Sequence, residues 1–274
     1  MRIAYLGPSG SFSHHLANQA FEKDFLMAFD TITEVIKAYE SGQVDYALVP
    51  VENSIEGSVH ETIDYLYQAE NLKACTEFLQ PIKQQLLARK KYAQLDKIFS
   101  HPQAIAQGKR YLESHYPEAA IEMTASTAYA ARHVSQHPDQ AWAAIGTHQA
   151  AKEYGLEVIA QDIQEMDENY TRFWLLGQEA PGLSQSSVSQ KMSLALNLPD
   201  NLPGALYKAL STFAWRGLDL TKIESRPLKT ALGEYFFIID VDNQNPDLLA
   251  YALEELTAIG ISYKILGTYQ VYQL

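Results

Sequence analysis

Cysteine is almost absent from this chain: Cys75 is the only one in 274 residues. No internal disulfide and no cysteine-based zinc site can be assembled from it, and such a composition suits a reducing cytoplasm. Positive charge is scarce as well. Lys and Arg total 21 against 33 Asp and Glu, a net charge of −12, so there is no broad basic face for nucleic acid or an anionic membrane surface. An anionic substrate would need its cations concentrated locally. Long apolar runs are missing, none approaching the roughly 20 residues of a membrane-spanning helix. Met1 to Leu6 reaches Gly7-Pro8 too soon for the apolar core of a secretion signal, so a cytoplasmic location is expected. The eight histidines lack zinc-type spacing, and His14 and His15, being adjacent, point apart on a helix. What is present is 47% apolar residues, enough for full cores in one large domain or two ordinary ones.

One composition break divides the chain. Residues 178–190 are rich in Pro, Gly, Ser and Gln and carry no apolar period, which reads as a linker over 179–190 between domains at 1–178 and 191–274. Before it, strands are predicted at Arg2–Leu6, Asp45–Val51, Ile82–Leu87, Ile121–Met123, Trp142–Ile145, Val158–Gln161 and Phe173–Leu176. Helices alternate with them at His14–Lys23, Thr33–Glu40, Val59–Gln68, Ala104–His115, Ala128–Ser135 and His148–Tyr154. Such alternation predicts an α/β domain with a mainly parallel sheet, folded as two small lobes around a cleft. After the break the order is β-α-β-β-α-β: Met192–Leu198, Gly204–Trp215, Leu220–Pro227, Glu234–Val241, Pro246–Ile259 and Tyr263–Tyr272. That is the ferredoxin-like unit, with one sheet face covered by helices and the other expected to be free for pairing.

Polar groups gather at strand ends, where open α/β sheets place ligand chemistry. Glu168-Asn169-Tyr170-Thr171-Arg172-Phe173 puts a carboxylate, an amide, a hydroxyl and a guanidinium before an apolar strand. Arg172 suits a substrate carboxylate through its planar fork, and Thr171 offers a hydroxyl; a plain strand entrance fits equally well. Gly7-Pro8-Ser9-Gly10-Ser11-Phe12-Ser13 is either an anion cradle of backbone N–H groups or an ordinary capped turn with Ser13 as N-cap. Beyond the strand ending at Val51, Glu52, Asn53, Ser54 and Glu56 cluster, the carboxylates as acid or base if buried. Ser100 and Gln107 flank His101-Pro102, where the histidine is held extended. Ser126 and Thr127 cap a helix or bind a carboxylate, the cap being the stronger reading.

Together, GPSGSFS, VPVENSIEGSV, SHPQAIAQ and ENYTRF, in this order, resemble the prephenate dehydratase family. Gly204-Ala205-Leu206-Tyr207 and Ile223-Glu224-Ser225-Arg226-Pro227 resemble the phenylalanine-responsive ACT domain that follows that family's catalytic domain. The resemblance implies a two-lobed, periplasmic-binding-protein-like catalytic domain and an ACT regulatory domain. It implies conversion of prephenate to phenylpyruvate with loss of water and carbon dioxide, on the route to phenylalanine. Aromatisation drives that reaction, so neither a redox cofactor nor a metal is expected. By resemblance Thr171 serves the departing hydroxyl and Arg172 binds a carboxylate, with Asn53, Gln107 and Ser100 completing the catalytic set. Ser11, Phe12, Ser13, Glu52, Ser54, His101, Ser126, Thr127, Asn169 and Phe173 are the further substrate contacts. Gly204, Ala205, Leu206, Glu224, Ser225, Arg226 and Pro227 would hold L-phenylalanine as effector. With the first strand starting at the N-terminus, no fused chorismate mutase is expected, and the predicted assembly is a homodimer or homotetramer. Two other readings remain: an arogenate dehydratase, and a non-catalytic two-lobed ligand-binding protein.

Overall fold

The computed structural model describes residues 1–21, 25–199, 203–228 and 235–274. The predicted helix end at Lys23 and strand start at Glu234 lie outside the described residues. The fold is mixed α/β, and the chain divides into two compact units: residues 1–62 with 79–173 and Leu274, and residues 63–78 with 174–273.

The elements run β1 (Ile3–Leu6), α1 (Phe12–Ala20), β2 (Leu26–Phe29), α2 (Ile32–Glu40), β3 (Tyr46–Asn53), β4 (Gly57–Ser58), α3 (His60–Gln68), β5 (Ala74–Pro81), β6 (Gln85–Ala88) and β7 (Lys97–Ser100). They continue with α4 (Pro102–Gln107), α5 (Lys109–His115), β8 (Ala120–Met123), α6 (Thr127–Ser135), β9 (Trp142–Gly146), α7 (His148–Tyr154), β10 (Glu157–Ala160) and β11 (Tyr170–Leu176). Local chemistry sets many of these boundaries. In α2, Thr31 and Glu34 form a reciprocal capping box, and Ile32, Val35, Ile36 and Ala38 recur at helical spacing on the buried face. The single helix predicted at Ala104–His115 is two helices meeting at Gly108. A side chain at Gly108 would press on Ile163, and glycine is a poor helix interior residue.

In the first unit the strands follow the order β11-β3-β1-β2, with β4 on β3, and a separate sheet has the order β10-β6-β9-β7-β8. The β1–β2, β1–β3, β7–β8 and β7–β9 pairs are parallel. The β6–β9 and β6–β10 pairs are antiparallel, so the predicted mainly parallel sheet is a mixed one. Buried apolar positions of β6, β7 and β9, among them Leu86, Ile98 and Ile145, pack against Leu112 and Ile163 on one face. On the other face Leu87, Phe99 and Ala144 pack against Ala130, Ala131 and Ala150.

The second unit holds β12 (Ser189–Asn197), α8 (Ala205–Ala214), β13 (Leu220–Pro227), β14 (Tyr235–Asp242), α9 (Pro246–Ala258) and β15 (Ser262–Gln273), with strand order β13-β14-β12-β15 and antiparallel pairing. No helix or strand interrupts residues 177–188. Leu194, Leu196, Ile239 and Val241 face Phe213, Leu249, Leu253 and Leu256 in one core. The opposite sheet face is not free. Phe236, Ile238, Ala195 and Ser193 on it are buried, the Tyr67 ring stacks on Phe236 at 3.9 Å, and Tyr67 donates to Asn197 at 2.7 Å. Alternation leaves the apolar Ile238 and Phe236 on that side, and the Tyr67 ring of α3 covers Phe236. Among the described residues no helix is long and apolar enough to cross a membrane.

Candidate active site

Two neighbouring strands, β3 and β11, bring the amides and hydroxyls of two sequence motifs together. Asn53 ends β3, and its Oδ1 accepts from the backbone N–H groups of Ile55 and Glu56 at 3.0 and 3.1 Å. Those two donors fix which end of the amide carries oxygen. Its Nδ2 therefore points across to β11, donating to Asn169 Oδ1 at 3.0 Å and Thr171 Oγ1 at 2.9 Å. With a lone pair of Thr171 engaged by a donor, the hydroxyl's own proton is left for an acceptor elsewhere. Ser54 completes the join: its N–H donates to Tyr170 O at 2.9 Å and its Oγ accepts from Tyr170 N at 3.0 Å. Asn169 is buried, and its Nδ2 meets no acceptor among the described residues.

Thr171 lines a cavity of about 320 Å³ together with Asn53, Phe12, Glu56, Gln84, His101, Gln107, Ser126 and Thr127. This is a volume suited to a small metabolite. Gln84 Nε2 donates to Gln107 Oε1 at 3.0 Å. That bond leaves Gln107 Nε2 as a buried donor with no partner among the described residues. His101 caps α4 by accepting from Gln103 N, and Ser126 caps α6 by accepting from Tyr129 N at 3.0 Å, so capping groups and helix N-termini face the cavity. No Lys or Arg among the described residues lines it. Among the described residues no group of three or more His, Cys, Asp or Glu side chains is placed to share a metal ion.

Several expected contacts lie elsewhere. Successive side chains of a strand point to opposite faces, and β11 begins at Tyr170, so Thr171 and Arg172 cannot both face one cavity. Arg172 instead pairs with Glu52 at 2.7 Å, both side chains largely shielded. Ser100 is buried and its hydroxyl donates to Ile145 O at 2.9 Å, holding β7 to β9 rather than lining the cavity. Phe173 belongs to the core. The N-cap of α1 is Ser11, not Ser13, which is buried inside the helix. The Gly7–Ser13 turn is also less open to an anion than its composition suggests. Gly7 N donates to Phe29 O, Ser11 N to Pro8 O and Gly10 N to His14 Nδ1. Gly10 adopts φ +86, and a Cβ there would lie about 3 Å from Tyr154 and Ala150, so only glycine fits.

Gln84, Gln103 and Glu56 are cavity residues that were not assigned to binding from sequence, although Glu56 was read as a candidate acid or base. The three polar residues Lys83-Gln84-Gln85 inside the predicted strand Ile82–Leu87 were the available signal for Gln84. In the second unit, Gly204 takes the left-handed φ of +70 before α8, which Ala205 and Leu206 begin. Glu224, Ser225, Arg226 and Pro227 close β13. Arg226 is paired with Asp64 at 2.8 Å and Glu224 with Lys222 at 3.3 Å.

The family model for prephenate dehydratase matches residues 3–181. The chain belongs to the prephenate dehydratase family. It is 51% identical over 276 residues to a prephenate dehydratase of Lactococcus lactis, covering 100% of this chain and 99% of that one. A solved prephenate dehydratase of Streptococcus mutans is 47% identical, with 99% of each chain covered and a TM-score of 0.66. A second, from Arthrobacter aurescens and solved in complex with L-Phe, is 32% identical with a TM-score of 0.82, covering 98% of this chain and 90% of that one.

Proposed function

We propose that this family member acts as a prephenate dehydratase, converting prephenate to phenylpyruvate, carbon dioxide and water in phenylalanine synthesis. The observation that carries the reading is Thr171 in the cavity wall, its oxygen held by Asn53 Nδ2 at 2.9 Å. In the reaction the C–O bond to the ring hydroxyl and the C–C bond to the ring carboxylate both break. The electron pair of the C–C bond enters the ring, and the hydroxyl leaves with the electrons of the C–O bond. A threonine hydroxyl is a weak acid, so Thr171 serves as a hydrogen-bond donor to the departing hydroxide, which takes up one proton from the medium, from hydronium or a buffer acid, and leaves as water. Uncharged donors, among them Gln107 Nε2, and the N-termini of α4 and α6 receive the carboxylates. A wall that, among the described residues, carries no Lys or Arg leaves the departing carboxylate weakly stabilised, which favours its loss as carbon dioxide.

The same reading takes the first 178 residues as a two-lobed, periplasmic-binding-like catalytic domain. It takes residues 191–274 as a ferredoxin-like ACT domain that binds L-phenylalanine as feedback inhibitor, with 179–190 as the linker. The strand order β13-β14-β12-β15 and the L-Phe complex of the Arthrobacter relative support the second assignment. Arg172 contributes through its pair with Glu52, which sets the β3–β11 join. Exposed Tyr207, Trp215 and Tyr251 support association into a homodimer or homotetramer, and one buried cysteine fits a cytoplasmic enzyme. Incubation with prephenate is the direct test. Phenylpyruvate should form in proportion to enzyme, faster than from arogenate by kcat/KM, and L-phenylalanine should slow it; failure to produce phenylpyruvate rejects the reading.

A further inference from the structure

The turn that delivers Phe12 to the Thr171 cavity closes on a buried histidine. His14, in the first turn of α1, is 6% exposed, and Gly10 N–H donates to its Nδ1 at 2.8 Å. A backbone N–H can only donate, so Nδ1 presents its lone pair and the neutral ring keeps its proton on Nε2. Nε2 lies 2.8 Å from the side-chain amide of Asn18, whose oxygen is the end able to accept that proton. The imidazole also stacks on the buried Tyr5 ring, 5.1 Å between centroids and 9° between planes.

Other bonds to the same turn come from hydroxyls. Thr147 Oγ1 donates to Gly10 O at 2.9 Å, Tyr154 OH to Ser9 O at 2.6 Å, and Ser11 Oγ to Leu6 O at 3.0 Å. Burial holds Tyr154 above the ordinary tyrosine range, so these three donors keep their protons around neutral pH. The bond to His14 is different. A proton added to Nδ1 would face the Gly10 N–H, two donors would meet, and the bond must break. Two residues beyond Gly10, Phe12 lines the cavity wall, so the charge on His14 reaches the site through the turn. The titratable and charged groups near His14 are Tyr5 on β1, His15 beside it on α1, and His148, Lys152, Glu153 and Tyr154 on α7. Of the strands packed on α1, β2 carries none, and β3 adds Tyr46 and Glu52, the latter paired with Arg172.

We infer that His14 is a positioning residue for the dehydration: as the neutral ring protonated on Nε2 it holds the Gly10 turn where Phe12 meets the substrate, and protonation on Nδ1 releases that turn. This role presupposes the reaction assigned to Thr171, and the experiment keeps the two apart.

The test measures kcat/KM for prephenate between about pH 5 and 8, corrected for the enzyme-free reaction, in the wild type, His14→Asn and His14→Leu. Nitrogen NMR of the wild-type imidazoles follows His14 directly, its signals recognised by their loss in His14→Asn. Asn sets an amide oxygen near the place of Nδ1 and does not titrate. It should keep most of the wild-type kcat/KM at the alkaline end and lose the fall on the acid side. A fall caused by Glu56 or His101 of the cavity itself would persist in that variant. His14→Leu, with no acceptor, should lower kcat/KM by about ten- to a hundredfold at every pH. If it does not fold, the wild type still decides: His14 should show a bare Nδ1 and a protonated Nε2, and should titrate together with kcat/KM. The assignment falls if active wild type carries the His14 proton on Nδ1, if ring and kcat/KM titrate apart, if His14→Asn keeps the acid limb, or if His14→Leu is fully active. A wild type that makes no phenylpyruvate rejects the reaction itself, a result distinct from all four.

Discussion

At the scale of single residues, the site depends on which face of a strand each side chain takes. Thr171 and Arg172 are neighbours in sequence, yet one lines the cavity and the other pairs with Glu52. The polar residues looked like the mouth of a strand that starts at Phe173. In the structure the ladder runs back to Tyr170 because Asn53, the last residue of β3, and Ser54 just after it supply bonds to it. Those bonds depend on tertiary contacts more than a hundred residues apart in sequence, so a local apolar pattern could not disclose them. Arg172→Ala should lower stability by roughly 1–3 kcal/mol, because it removes the Arg172 guanidinium from a shielded carboxylate. Glu52→Ala combined with it should recover part of that loss in a denaturant titration. A large rise in KM for prephenate at unchanged stability would instead put Arg172 on the substrate.

At the scale of elements, most helices and strands were legible, and α7 and β13 match their predicted limits residue for residue. The strand β5 was not. It is buried on both faces, Thr76 and Gln80 on one and Glu77 on the other, so the apolar pattern that announces a strand is broken by buried polar side chains. Glu77, for one, accepts from Trp174 Nε1 at 2.9 Å. The helix α3 was read correctly from its period, but its role was hidden. Thr62 fastens its first half by donating to Pro50 O at 2.7 Å. Its second half carries Asp64 and Tyr67, the partners of Arg226 and Asn197. Where β15 passes β5, Gly267 sits at a register shift, and an added Cβ would come within 2.6 Å of Ala74 O. Gly267→Ala should therefore cost about 1–3 kcal/mol through overpacking, seen as a lower denaturation midpoint; an unchanged midpoint would show that this crossing can relax.

At the scale of the whole molecule, composition argued against a broad basic face and, with one cysteine, leaves no pair for an internal disulfide, but it did not locate the reacting groups. Burial pushes the Cys75 thiol up to about 11. The folded state thus prefers the protonated thiol. That contribution is full below the ordinary value of 9.0 and is lost as pH rises through about 11. Native protein at pH 8 should resist alkylation by iodoacetamide at rates set by global opening, and fast labelling would mean the second unit opens locally. L-Phenylalanine at a hundredfold its Kd should add about 2.7 kcal/mol of stability if it binds the native state, read as a rise in Tm. The central claim concerns Thr171. The most direct measurement is kcat for prephenate in the wild type, Thr171→Ala and Thr171→Ser. Loss of the donor should lower kcat by about 10²- to 10⁴-fold with little change in KM, and serine, which keeps the hydroxyl, should restore most of it. Equal kcat values in the wild type and Thr171→Ala would contradict the account.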